Sequence, residues 1–338
     1  MEKQAKIDFW HLPDEMKREI FAEIHNKTNV SPKAAEKDWW VCHAIKSIFE
    51  MRCADALTFK GGTSLSKAWG VSNRFSEDVD ISIDKAFFGI EGETRSARDR
   101  IRKLSRKYIH EEMRAELAAT LYVFGAEESE VIYKSRPDSD ADPTVLLIPY
   151  RSVLPQDPYI KDVIKVEFSC RSPREPRQVR PIIPYAVQLS PLIDYPAVEV
   201  PTVVPTRTFL EKVFLLHEEF QKDYPRVKRM SRHLYDLYRL GRTQYAAEAM
   251  ADTDLYISLV RHRSVFNAVR GIDYRGHVPA NLSILPPKEV LPLWEEDYQA
   301  MCGQFVFEAA PSFKELINEV AAIQDRLRSI PIREIPLR

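Results

Sequence analysis

The chain has 338 residues, 44% of them hydrophobic, enough to bury one large core or two ordinary ones, so disorder is excluded as its main state. Lys and Arg number 49 against 50 Asp and Glu, a formal charge of -1, which confines any nucleic-acid surface to a local patch. Four widely spaced cysteines (Cys42, Cys53, Cys170, Cys302) lack CxxC or Cys/His spacing, arguing for buried thiols over a disulfide framework or structural zinc.

No apolar run approaches the roughly 20 residues that span a bilayer, and the opening MEKQAKIDFWHLPDEMKREI has no signal-peptide apolar core. A cytoplasmic protein without membrane association is expected. From 13 to 54 apolar residues recur at three and four (Met16, Ile20, Ile24, then Trp40, Ala44, Ile48, Met51), which predicts two helices before any strand. Residues 57–60 read as a short strand closed by Gly61 and Gly62, with Thr63 and Ser64 as hydroxyl caps for a short helix over 65–69. The stretch 79–83 alternates, with Val79, Ile81 and Ile83 on one face and Asp78, Asp80, Ser82 and Asp84 on the other.

A long helix is predicted over 95–124; its first twenty residues hold eight Lys or Arg against three acids, a local basic surface. Strands are expected near 130–136, 144–150, 162–170 and 197–204, with Pro-rich connections between them. After Pro205 helical periodicity takes over, near 207–223, 228–240, 244–251, 253–269, 289–301 and 312–329. The expected fold is α+β, a mixed sheet with helices over 1–205 followed by an all-helical half over 206–338 that closes a ligand cleft.

The chemistry concentrates in Lys60-Gly61-Gly62-Thr63-Ser64-Leu65-Ser66-Lys67 and Arg74-Phe75-Ser76-Glu77-Asp78-Val79-Asp80-Ile81. Glycines let the backbone approach a ligand, and a helix beginning at Thr63 or Ser64 aims free N–H groups at it, the elements of a phosphate cradle. Asp78 and Asp80, two apart on a strand, project side by side and suit Mg²⁺ or Mn²⁺ carried in by a nucleoside triphosphate. A third carboxylate is offered by Glu167, which falls with Lys165 and Ser169 opposite the apolar Ile164, Val166, Phe168 and Cys170. Three acids on two strands imply two-metal nucleotidyl transfer: in-line attack on the α-phosphorus with pyrophosphate leaving.

These residues resemble the abortive-infection toxins of the AbiEii/AbiGii nucleotidyltransferase family, within the DNA polymerase β-like nucleotidyltransferase superfamily. The resemblance rests on GGTSLSK and on Arg74-x-Ser76-x-Asp78-x-Asp80. It extends to Lys212 in TFLEK and to Arg232 and Asp236 in RHLYDL, with His233 where many members carry Asp. It implies nucleotide-binding roles for Gly61, Gly62, Thr63, Ser64, Lys67, Arg74, Ser76, Lys212 and Arg232. Asp78, Asp80 and Glu167 are then metal ligands and, with Lys212 and Asp236, catalytic. It further implies a toxin that modifies the acceptor end of tRNA, stops translation in phage defence, and has a cognate antitoxin. Transfer to a protein or small molecule, or a nucleotide-binding regulator without catalysis, are the alternatives.

Overall fold

The computed structural model describes residues 6–92, 94–126, 131–133, 143–170, 176–190 and 192–337. It divides into two compact units. The first comprises 1–68, 75–91 and 99–202, and the second 69–74, 92–98 and 203–338.

In the first unit α1 (Asp14–Thr28) and α2 (Pro32–Phe49) come before the sheet. Ser31 caps α2 by accepting from the Ala34 N–H, and Pro32 occupies the first turn, where its missing N–H costs nothing. The strands are β1 (Leu57–Lys60), β2 (Asp78–Ile83), β3 (Ile132–Tyr133), β4 (Thr144–Pro149), β5 (Val163–Ser169), β6 (Arg177–Ile182) and β7 (Val198–Val203), in the spatial order β3-β4-β5-β2-β1-β7-β6. The sheet is mixed: β2 runs parallel to β5 and β1 to β7, while β1–β2, β3–β4 and β4–β5 are antiparallel.

Register explains the two faces. Phe59 pairs with Ile81 and Ile81 with Phe168, and Val79 pairs with Val166; none of the five is measurably exposed. Because side chains alternate along a strand, the intervening positions form cross-strand rows on the opposite face: Lys60, Asp80 and Glu167 in one, Asp78 and Lys165 in the next. β6 lies where no strand was expected. Its residues are mostly exposed and include Pro181, as suits an edge strand, and such a strand lacks the apolar alternation that marks a half-buried one.

The helix expected over 95–124 is α4 (Arg95–Tyr108) and α5 (Arg114–Val123) joined by a π turn over Ile109–Met113. Ile101, Ser105, Ile109, Met113, Leu117 and Leu121 are all buried, four residues apart each time. A four-residue step drifts by about 40° on a helix of 3.6 residues per turn. Over this length the buried stripe would rotate toward solvent, and the wider π turn takes back part of that rotation.

A short α6 (Tyr185–Leu189) completes the first unit's helices. The second contains α7 (Pro205–Glu219), α8 (Ser231–Gly241), α9 (Gln244–Ala251), α10 (Thr253–Phe266), α11 (Leu291–Phe305) and α12 (Phe313–Arg328). Ser312 and Glu315 form a reciprocal capping box on α12. The core of this unit is built from Phe209, Phe214, Leu234, Tyr256 and Trp294, each buried. All four cysteines are free thiols; three are buried and Cys302 is half-buried. Among the described residues no helix is long and apolar enough to cross a membrane.

Candidate active site

The glycine turn and the acidic strand face meet in the first unit. Gly61 adopts φ +79°, a conformation costly for any residue with a Cβ. It lets the chain pass from β1 straight into α3 (Gly61–Lys67). The helix therefore begins earlier than expected, at Gly61, and no side chain caps it. The Thr63 hydroxyl instead donates to the Asp78 carbonyl, tying α3 to the start of β2, and Ser64 donates to the Gly61 carbonyl at 2.9 Å. Both side chains are buried, so their hydroxyls hold the turn together.

A Cβ at Gly61 would overlap the Asp80 carboxylate, coming within 2.7 Å of its Cγ. The glycine is thus required by a close approach as well as by φ. Asp78 and Asp80 are each half-buried, in contrast with the sealed Val79 and Ile81. Glu167 stands in register with Asp80 on the neighbouring strand.

Between these acids lies a residue to which sequence reasoning assigned no role. Lys165 is in register with Asp78 and forms an ion pair with Glu167. Burial opposes its charge, but the Glu167 hydrogen bond and the charges of Asp78 and Asp80 outweigh burial and hold Lys165 above the ordinary lysine value. Its signal was available: it shares the strand face of Glu167 at a spacing of two.

Asp78, Asp80 and Glu167 offer only carboxylate oxygens, the donor chemistry of a hard divalent cation such as Mg²⁺. The fit is one of chemistry and facing. Among the described residues no three His, Cys, Asp or Glu side chains form a group that could hold a metal ion, and the cation held against Glu167 is the Lys165 ammonium.

Lys67 and Ser76 also lie in this unit. Lys67 turns inward and pairs with Asp38 of α2 at 2.7 Å, both nearly sealed, with Tyr185 donating its N–H to the same carboxylate. The Lys67 ammonium sits over the Tyr185 ring. Burial disfavours its charge, but Asp38 more than compensates and pushes Lys67 upward from its ordinary value. In this arrangement Lys67 braces α3 against α2. Lys37 does the same for the segment before β2, pairing with Glu77 at 2.7 Å. Ser76 is half-buried in that segment.

The remaining candidates lie in the second unit. Arg74 donates from Nε and Nη2 to the two oxygens of Asp236, each at 2.8 Å, and Ser72 and Lys212 reach the same carboxylate at 3.1 and 2.7 Å. Asp236 is fully buried. Burial alone would raise its pKa, but Arg74 and Lys212 reverse the effect and hold it well below the carboxylate range. The Asp236 carboxylate is thus shared by residues from other elements, Arg74 and Ser72 before β2 and Lys212 of α7.

Lys212 is shifted downward, chiefly by burial, with the charges of Arg74 and Arg232 adding to it against Asp236. His233 is held far below its ordinary value by burial and by the Lys212 and Arg232 charges, so it is a neutral imidazole. Two cations from other elements, Arg74 and Lys212, share the one carboxylate.

Comparison with known proteins agrees with this chemistry. The family model "Nucleotidyl transferase AbiEii toxin, Type IV TA system" matches residues 47–319. The protein is therefore a nucleotidyltransferase. It belongs to the AbiEii family of toxins from type IV toxin-antitoxin systems. MenT4, a nucleotidyltransferase toxin from Mycobacterium tuberculosis H37Rv, is similar in structure, with a TM-score of 0.54 and 18% identity, covering 94% of this chain and 90% of that one. At that identity the likeness establishes the fold. No curated protein matches the sequence.

Proposed function

We propose that this toxin transfers a nucleotide from a nucleoside triphosphate to the 3′ end of tRNA and so blocks translation, under control of a cognate antitoxin. The observation that carries the reading is the row in which Asp80 lies against Gly61 and in register with Glu167, with Asp78 two residues away on the same face. Asp78, Asp80 and Glu167 would hold Mg²⁺ or Mn²⁺, which when bound neutralises triphosphate charge and stabilises the departing pyrophosphate. The backbone of Gly61 and Gly62 accepts close approach of the phosphates. Glu167 orients the attacking hydroxyl; the bond formed joins that oxygen to the α-phosphorus, and the bond broken releases pyrophosphate. Lys212 and Arg232 are the triphosphate-orienting cations of the second unit, a reading supported by their place in the TFLEK and RHLYDL stretches.

The test is incubation with total RNA, Mg²⁺ and each labelled triphosphate in turn. Label should enter tRNA. Asp78→Asn should abolish transfer, Glu167→Gln should slow it at least about a hundredfold, and induced Asp78→Asn protein should fail to arrest growth. Label entering protein in place of RNA would overturn the acceptor assignment, and undiminished transfer by Asp78→Asn would overturn the site.

A further inference from the structure

We infer that the exposed face of α4 is an RNA-docking surface on which Phe87 provides a platform for an unpaired base. The inference rests on the RNA-acceptor reading above and locates where that acceptor is gripped. Arg95–Tyr108 carries seven Lys or Arg and a single carboxylate, Asp99, in a chain whose formal charge is only -1.

Tertiary structure sorts those cations. Ile101 and Ser105 face the interior. Arg98 donates to the Val265 carbonyl at 3.2 Å, and Arg102 and Arg106 are half-buried and engaged within the protein. Arg100, Lys103 and Lys107 are exposed, and their spacing of three and four puts them on one side of the helix together with Leu104, itself 38% exposed. Like charges at that spacing repel and cost helix stability. Lys107 is paired with Glu111 at 3.9 Å with both side chains in solvent, a weak compensation. A polyanion would relieve the repulsion along the whole stripe.

Phe87 adds a second, independent feature. It is 43% exposed, held on one side by Phe88 and by Tyr108 at the end of α4, with ring centroids 5.1 Å away in each case. A fixed aromatic ring beside a row of cations is the combination that binds single-stranded nucleic acid, the ring stacking on a base and the cations tracking phosphates. An acidic protein would use the cations but has no need of the ring. Phe87 follows Asp80 by seven residues, so it lies at most about 25 Å away, a span that a few nucleotides cover.

The experiment is anisotropy of fluorescent total tRNA titrated with the full chain at several KCl concentrations. Arg100→Glu/Lys103→Glu/Lys107→Glu should weaken binding at least tenfold and lower the log–log salt slope by about two, since each phosphate contact contributes roughly 0.7–0.9. Phe87→Ala should weaken binding several-fold or more with the slope unchanged. Lys314→Glu/Arg326→Glu/Arg333→Glu, all exposed positions, makes the same change in net charge elsewhere and should weaken binding far less.

Equal losses in the two triple variants would overturn the surface, since net charge alone would then explain them. Unchanged affinity in the α4 variant would overturn it while leaving the RNA-acceptor reading intact. If wild-type protein transfers label but binds tRNA at no salt concentration, the acceptor reading itself fails, and the surface with it. Loss of protection by a co-expressed antitoxin with RNA binding intact would assign the face to a protein instead. Matching thermal melts guard against misfolding.

Discussion

At the scale of single residues, the site depends on close approach. Gly61 combines a positive φ with the Asp80 carboxylate packed against its Cα. Gly61→Ala should therefore push Asp80 aside and lower label transfer by at least about a hundredfold, the cost of misplacing a catalytic group by an ångström or so. Near-normal transfer by this variant would show that the carboxylate has room to move. Lys165 is the other decisive residue, because its ammonium is paired with Glu167 and offsets part of the acids' charge. Removing it in Lys165→Met should tighten Mn²⁺ binding, measured by titration calorimetry, by about tenfold, or about 1.4 kcal/mol. It should also lower the melting temperature of the metal-free protein. Unchanged Mn²⁺ affinity would mean that Lys165 does not compete for those oxygens.

At the scale of elements, ion pairs join segments that sequence order keeps apart. Arg74 and Asp236 are 162 positions apart in the chain, yet their paired hydrogen bonds fasten the segment 69–74 to α8, with Lys212 of α7 on the same carboxylate. Asp236→Asn would leave Arg74 and Lys212 buried around a neutral amide. Breaking such a pair costs about 3–5 kcal/mol, so the urea midpoint should fall sharply. Lys212→Met leaves the Arg74 pair in place and should cost much less stability while still impairing transfer. If both variants lose transfer and stability equally, Lys212 is a structural cation with no role toward the triphosphate. Helix α2 shows the same pattern: Lys33, Glu36, Lys37 and Asp38 are all buried and all paired. Its hydrophobic repeat announced a helix, but the four charges packed into its first two turns gave no hint that it would be enclosed on nearly every side, because burial of a charge depends on partners supplied by other segments.

At the scale of the whole molecule, buried neutral histidines should make stability depend on pH. His43, packed among Trp10, Trp40 and Phe124, is pushed down to about 3, chiefly by burial, and His217 to about 4, chiefly by burial and then by His277. With folded values below the unfolded one, the unfolded chain binds more protons once pH drops below about 6.5, so stability is full above that value and declines as pH falls toward the folded values. His43 alone should contribute a loss on the order of 2 kcal/mol by pH 5. His43→Phe should flatten the fall in urea midpoint between pH 7 and 5, and an equally steep fall in that variant would assign the dependence to other groups.

The sequence by itself determined the periodic elements, the apolar and acidic faces of β2 and β5, and the glycine turn before them, because side-chain alternation and backbone conformation are local properties written in consecutive residues. It also carried the family, through motifs whose residues are neighbours in the chain. It did not reveal β6, whose exposed edge carries no apolar alternation, nor the π turn, which answers to packing. Only the tertiary structure decided that Lys67 turns inward to Asp38, that Arg74 and Lys212 share Asp236, that Lys165 stands among the carboxylates, and which cations of α4 reach solvent. Each of those is a choice of partner for a charge, and a charge finds its partner through space, at distances that spacing along the chain does not encode.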